Sequence, residues 1–419
     1  MKAASLFLAA LCIFSFPGLA QDSRYVGAGG CASSNCHGAT TPAAESVSRI
    51  MGHEYSVWSV RDKHSQAFTV LSNDRSRRMA EILGIADAAK ATECLACHAA
   101  GSPGRSLSDG VACEACHGPA EQWLGPHVGE GQTHAQNVAL GMVDTKDLET
   151  RARMCLECHV GTAEKKVDHR LIAAGHPDLP FELDTFGAAL PMHWRPPAPA
   201  ADNGLPSLRA FAVGQAVALS EGMRMLASAA SSHWPEFAEL ECYQCHHDLR
   251  RESWRIARGY AGRPAGSLQP NVSRFAVLRV VAAQAGGSRS ASLEAAVEAL
   301  TTAVTSRFND AAAIAQAANR VKSEADALVA SFEQRNSTEA DAVALARALE
   351  SSISRISNDG VQAAEQATMA LDAIVAAVAP EGVVLQEAMR KLYDYLEHPS
   401  SYRPSEYAQL FRAVVRQLS

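Results

Sequence analysis

The chain has 419 residues, enough for two or three domains at ~150 residues each. Charged residues make up 20% and hydrophobic residues 47%, which excludes a disordered or collagen-like chain. The formal net charge of -7 argues against a nucleic-acid-binding surface. Aromatic residues are only 6%, so aromatic side chains alone would make a thin core. Eleven cysteines are an odd count and 15 histidines a high one, and their positions carry most of the information.

Residues 1–20 read as an export signal. Lys2 supplies the positive charge, Leu6 to Phe16 an apolar run, and Gly18-Leu19-Ala20 the small residues before a cleavage site at Gln21. A membrane anchor is the alternative, but the run is short for the ~20 residues of a span. Leu11, before Cys12, is not the small residue that lipoprotein processing needs. Export implies a periplasmic protein. Cleavage removes Cys12 and leaves ten cysteines.

Those ten fall into five pairs, each followed directly by histidine. The first is Cys31-Ala-Ser-Ser-Asn-Cys36-His37, with a long spacer. Four CxxCH motifs follow, at Cys94 to Cys97 with His98, Cys113 to Cys116 with His117, Cys155 to Cys158 with His159, and Cys242 to Cys245 with His246. This pattern fits haem c. Two thiols add to the two vinyl groups of one haem, and the adjacent histidine lies under the iron as proximal ligand. Disulfide pairing gives no reason for histidine to recur there. Four-thiolate zinc sites need an even number of pairs and no following histidine. The thioethers are therefore assigned to Cys31, Cys36, Cys94, Cys97, Cys113, Cys116, Cys155, Cys158, Cys242 and Cys245, and the proximal ligands to His37, His98, His117, His159 and His246.

Ten histidines remain, and nine of them precede residue 250. A second axial histidine at each iron would need five of them. The candidates are His53, His64, His127, His176, His193, His233 and His247. His176 sits in the turn Ala174-Gly175-His176-Pro177, and His193 and His233 each precede a tryptophan. His247 cannot reach the iron held by its neighbour His246, but it could serve an adjacent haem. His169 and His134 complete the set within this region, and His398 lies far outside it.

Residues 21–260 hold all five motifs, too few residues per haem for an independent apolar core. The expectation is a haem-packed domain of short helices and loops, with one longer helix from Leu208 to Ala230. Its stripe of Phe211, Gln215, Leu219, Gly222 and Leu226 is imperfect. Residues 261–270 read as a linker. Residues 271–419 contain no cysteine and read as an α-helical bundle. Its stripes are Leu293, Val297, Leu300, Val304, Phe308; Ile314, Val321, Leu328, Phe332; Leu345, Leu349, Ile353, Ile356; and Ala364, Leu371, Ile374, Val378. Asn358-Asp359-Gly360 and Pro380 break them. The fold class is therefore mainly α.

The order of the motifs resembles the multihaem cytochrome family typified by cytochrome c-554. The resemblance rests on Trp58 followed by His64, then Cys94 to His98, the block Gly110-Val111-Ala112-Cys113-Glu114-Ala115-Cys116-His117-Gly118-Pro119, His127, and Cys155 to His159. It implies a helical, haem-packed fold with mostly bis-histidine irons. It suggests His127 as distal ligand for the Cys31/Cys36 haem and His64 for the Cys113/Cys116 haem. His53 competes with His64, because the gap after His37 is long. The resemblance also makes the Cys94/Cys97 haem the candidate for an open iron. The fifth motif and the helical region extend beyond the family pattern.

Two functions are compatible with this reading. One is a periplasmic electron carrier passing single electrons through about five haems c to redox partner proteins, including a membrane-bound electron-transfer complex. In that case no residue is catalytic. The other is a redox enzyme acting on a small nitrogen or sulfur compound at an open haem iron.

Overall fold

The computed structural model describes residues 24–45, 50–101, 106–195, 205–247, 250–251, 253–254, 263–264, 266–379 and 382–418. The expected signal segment, Asp248, Leu249, Pro380 and part of the expected linker lie outside the described residues. The fold is mainly α. Among the described residues there is no strand, and one isolated bridge joins Leu240 to Pro270.

The N-terminal region is built from short pieces. Helices α1 (Glu54–Arg61), α2 (Asp74–Leu83), α3 (Thr92–His98), α4 (Cys113–His117) and α5 (His134–Ala139) alternate with 3-10 turns and loops. Polar caps start two of them: Asn73 accepts the Ser76 N–H at 2.8 Å at α2, and Thr133 with Gln136 forms a capping box at α5. Their only apolar cluster among the described residues is Leu71, Ala80 and Ala88. Three such side chains cannot hold well over 100 residues together, so this region lacks a protein core of its own.

The second part is different in kind. Helix α6 (Leu148–His159) is followed by α7 (His169–Ala173), α8 (Leu183–Ala189) and the long α9 (Pro206–Ser232). Then come α10 (Ser273–Ala285), α11 (Arg289–Ser306), α12 (Ala311–Glu333), α13 (Glu339–Asn358), α14 (Val361–Val378), α15 (Val383–Leu396) and α16 (Pro404–Val415). One continuous apolar core runs from Ala152 and Leu156 of α6 through α9 to Val415 of α16. The four expected stripes face it, with Phe308, which lies beyond the end of α11, and Val378 packed against it while only partly buried.

Helix α9 is the centre of this core and packs against α6, α8, α10, α12 and α14. That explains its imperfect stripe. A helix surrounded on all sides has no solvent face, so Gln215 and Glu221 are buried along with Phe211 and Leu226. Gln215 donates to Gln366 of α14 at 2.8 Å. The expected division at residues 261–270 is therefore not a division in packing. By its contacts α9 belongs with the bundle, although it precedes the fifth cysteine pair.

Two of the contacts that fix the cysteine-bearing region to the bundle lie at Arg153 and at Gly360. Arg153 of α6 donates to Glu149 at 2.7 Å, to Glu221 of α9 and to Asp326 of α12 at 2.9 Å. Ser220 and Lys322 converge on the same Asp326 at 2.6 Å. The second contact is at Gly360, between α13 and α14. Its φ is 111°, and a Cβ there would come within 3.1 Å of the Tyr243 ring. Glycine permits both the left-handed backbone and the approach to the fifth motif.

Phe211 is fully buried in α9. Truncation by Phe211→Ala should lower unfolding free energy by about 3–5 kcal/mol in denaturant melts followed by circular dichroism. A loss below about 1 kcal/mol would contradict a central place for α9 in the core.

Candidate functional site

The five motifs are carried by local structures that need little sequence. Cys31 ends a 3-10 turn, Ala28–Cys31. Cys94 to His98, Cys113 to His117 and Cys155 to His159 form or end α3, α4 and α6. Cys242–Gln244 is a 3-10 turn, started by Glu241 accepting the Tyr243 N–H at 3.2 Å. A helical turn brings the two cysteines and the histidine of each motif towards one side. None of the ten cysteines is in a disulfide.

Four of the five motif histidines face a second imidazole. His37 is stacked on His127 with ring centres 6.3 Å apart and planes 13° apart. His98 faces His176 at 6.4 Å and 86°. His159 faces His64 at 6.4 Å and 88°. His246 faces His169 at 6.1 Å and 35°. Two imidazoles bound on opposite sides of one metal ion, each through one nitrogen, hold their ring centres roughly 6 Å apart for metal–nitrogen bonds of about 2.0 Å. The donor sets fit a haem iron on this test. At the third motif, His117 has His193 near enough to act on it electrostatically.

The other ring nitrogens are held by the protein. His98 Nδ1 bonds to the Ala67 carbonyl at 2.7 Å, His176 to Pro177 at 2.8 Å, His193 to Pro191 at 3.1 Å and His127 to Leu124. His37 uses Glu54, and His64 uses Asp62, each at 2.9 Å. With Nδ1 engaged, Nε2 is the nitrogen left for a metal. Burial pushes His117 and His159 down to about 4, which keeps both rings in the neutral form that ligates metal. Burial opposes ionisation of Glu54, but the His37 bond, its own backbone N–H and the Gly52 N–H outweigh it and hold the carboxyl at about 2.

Several buried polar atoms in this region have no hydrogen-bond partner, among them His53 Nδ1, Trp123 Nε1 and Arg195 Nε. Trp123 packs edge-on against His127, with ring centres 5.5 Å apart. An orphaned N–H beside the His127 imidazole fits a pocket that a further group completes.

The residues of the Gly110 to Pro119 block have separable roles. Glu114 is buried and accepts the N–H groups of Val26, Gly27 and Ala120, at 2.9, 2.7 and 2.7 Å. It ties the approach to the first motif onto the third. Gly110 has φ 66°, and a Cβ there would come 2.6 Å from the His64 carbonyl oxygen. That same carbonyl accepts the Val111 N–H at 2.9 Å, and Trp58 Nε1 donates to the Val111 carbonyl at 3.1 Å. Trp58, the block and His64 are thus one unit.

Three histidine placements differ from the expectations. The family pattern pairs His64 with the third motif, but its ring faces His159 of the fourth, because Asp62 turns the imidazole through the Nδ1 bond. The second motif, expected to hold an open iron, has His176 opposite His98. His169 was not singled out by any motif, yet it faces His246. Its only sequence signal is Asp168 before it, which caps α7 by accepting the Leu171 N–H at 2.9 Å.

The remaining candidates sit elsewhere. His53 is the N-cap residue of α1. His233 is exposed and bonds to Ser232 at 2.7 Å and to Lys166 at 3.1 Å. His247 is exposed beside His246. His134 bonds to Asp144 at 2.8 Å. Among the described residues, no three His, Cys, Asp or Glu side chains converge as a metal cage.

Motifs distant in sequence also touch. Cys31 lies beside Cys113, and Cys97 beside Cys158. Cys116 lies within electrostatic range of Cys155 and Cys158. Arg170, next to His169, pairs with Glu93, next to Cys94.

Among the described residues no helix is long and apolar enough to cross a membrane. No curated protein matches the chain, and no solved structure does. One family model, cytochrome c554 and c-prime, matches residues 31–118, from the first thiol to the glycine after the third motif. Over that segment the chain is similar to cytochrome c554 and c-prime, a likeness that implies haem c and suggests a multihaem electron-transfer role.

Proposed function

We propose that the chain is an exported, periplasmic cytochrome that carries single electrons along five covalently bound, bis-histidine haems. The observation that carries this reading is the set of imidazole pairs at 6.1–6.4 Å, each with one ring directly after a cysteine pair. The ligand pairs are then His37 with His127, His98 with His176, His117 with His193, His159 with His64, and His246 with His169. Haem supplies the one-electron couple. The protein sets each potential through ligands, burial and hydrogen bonds.

Contacts between motifs support a spatial order of first, third, fourth, second and fifth. Cys31 meets Cys113, Cys116 neighbours Cys155 and Cys158, and Cys158 meets Cys97. Helix α7 then links the second site to the fifth. Its Arg170 reaches Glu93, its His169 faces His246, and His176 follows it. The exposed thiols are Cys36 of the first motif and Cys242 and Cys245 of the fifth, which suits entry and exit at the two ends. The partners would be redox proteins docking there, including a membrane-bound complex.

A redox enzyme needs an open iron with acid–base groups around it. His176 opposite His98 argues against that arrangement at the second site. Electron paramagnetic resonance of the oxidised protein should show low-spin iron only, with five reversible one-electron steps and no turnover of nitrite or hydroxylamine. A high-spin haem that binds nitric oxide and turns over substrate would replace this reading with the enzymatic one.

The pairing is tested by substitution. His169→Ala should convert one haem to high spin, whereas His233→Ala should leave the spectrum unchanged. A shift to high spin in His233→Ala, with none in His169→Ala, would reverse the assignment of the fifth site.

A further inference from the structure

The imidazoles differ in what accepts their Nδ1–H. At the second and third sites the acceptors are backbone carbonyls, those of Ala67, Pro177 and Pro191. At the first and fourth sites one ring of each pair uses a carboxylate, Glu54 for His37 and Asp62 for His64, both at 2.9 Å.

Both carboxylates are fixed in place. Glu54 opens α1, and its Oε1 accepts the N–H groups of Met51 and Gly52 at 2.8 and 3.0 Å, which leaves Oε2 for His37. Asp62 is 6% exposed, and its Oδ1 accepts both the backbone N–H and the ring N–H of His64. Glu54 is the first residue of α1 and Asp62 is its C-cap, so one helix positions both acids.

A charged acceptor pulls on the ring N–H more strongly than a carbonyl does, and the imidazole becomes a stronger electron donor to its metal. It also brings a negative charge close to the iron. Both effects favour the ferric over the ferrous ion. Reduction at such a site takes one electron from a neighbouring haem and no proton, since the Nδ1 proton stays between ring and carboxylate.

We propose that Glu54 and Asp62 are positioning residues that lower the reduction potentials of the haems at the first and fourth sites. In the row first, third, fourth, second, these two sites alternate with carbonyl-tuned sites. Electrons arriving in the row rest on the third and second sites, and pass through the first and fourth. The inference rests on His37 and His64 being iron ligands, as in the function proposed above.

The test is a spectroelectrochemical titration of the full-length holoprotein, with each haem assigned by nuclear magnetic resonance. In the unmodified protein the first and fourth haems should be reduced after the second and third. Glu54→Gln should move only the first-site couple, and Asp62→Asn chiefly the fourth-site couple, with a smaller shift at the third site, whose Cys116 and His193 lie within electrostatic range of Asp62. The first- and fourth-site couples should each shift towards the reduced form by about tenfold, or ~59 mV for a one-electron couple. The charge-retaining Glu54→Asp and Asp62→Glu should move the same couples less than their amide counterparts do. A purely structural role would instead disturb haem content or all couples together. Unmoved midpoints in both amide variants overturn the proposal, and so does a reduction order in the unmodified protein with the first and fourth haems ahead. Failure of the ligand reading itself has a different signature, high-spin iron at the first or fourth site of the unmodified protein.

Discussion

The N-terminal half of this protein depends on one constraint, the holding of imidazoles in facing pairs about 6 Å apart. Two imidazoles at that distance gain little from each other. Their Nε2 atoms are polar, and leaving them without partners in the interior would cost free energy. An iron held between them would remove that cost. The same logic covers the thin apolar cluster of Leu71, Ala80 and Ala88, which is all that the described residues before α6 bury together. Porphyrin rings supply the apolar volume that side chains do not.

The bundle obeys ordinary rules. Its helices pack apolar faces around α9, and its core needs no cofactor. The two parts meet where the chemistry is. Arg153 lies two residues before Cys155 and is clamped to α9 and α12, and the turn at Gly360 closes on Tyr243 between the fifth-motif thiols. Electron transfer requires donor and acceptor to hold fixed separations. The helical body attached at the fourth and fifth motifs, with its continuous core, would supply that stiffness to a region with little core of its own.

Much of this was legible in the sequence, for identifiable reasons. The cysteine pairs followed by histidine are local in sequence because haem attachment is local, so the motif residues could be read directly. The stripes from Leu293 to Val378 were legible because amphipathic helices repeat regularly. Helix α10 showed no stripe because Phe275, Ala276, Val277 and Leu278 are all buried. The partners of the motif histidines were harder. His64 and His159 are far apart in sequence, as are His169 and His246, and no periodicity links them. His169 carries no neighbouring tryptophan or proline, whereas His233 does and bonds to Ser232 and Lys166 instead. The place of α9 in the bundle was hidden for the same reason. It precedes the fifth motif in sequence, and only long-range contacts reveal which core it joins.

The central claim is that five haems, covalently bound, form the core of the N-terminal half. Its most direct test is the intact mass of the protein purified from a host that matures c-type cytochromes. The account predicts one species whose mass equals the polypeptide plus five haem groups, with no thiol open to alkylation among the ten motif cysteines. A species with four haems or fewer and a reactive cysteine pair would contradict it.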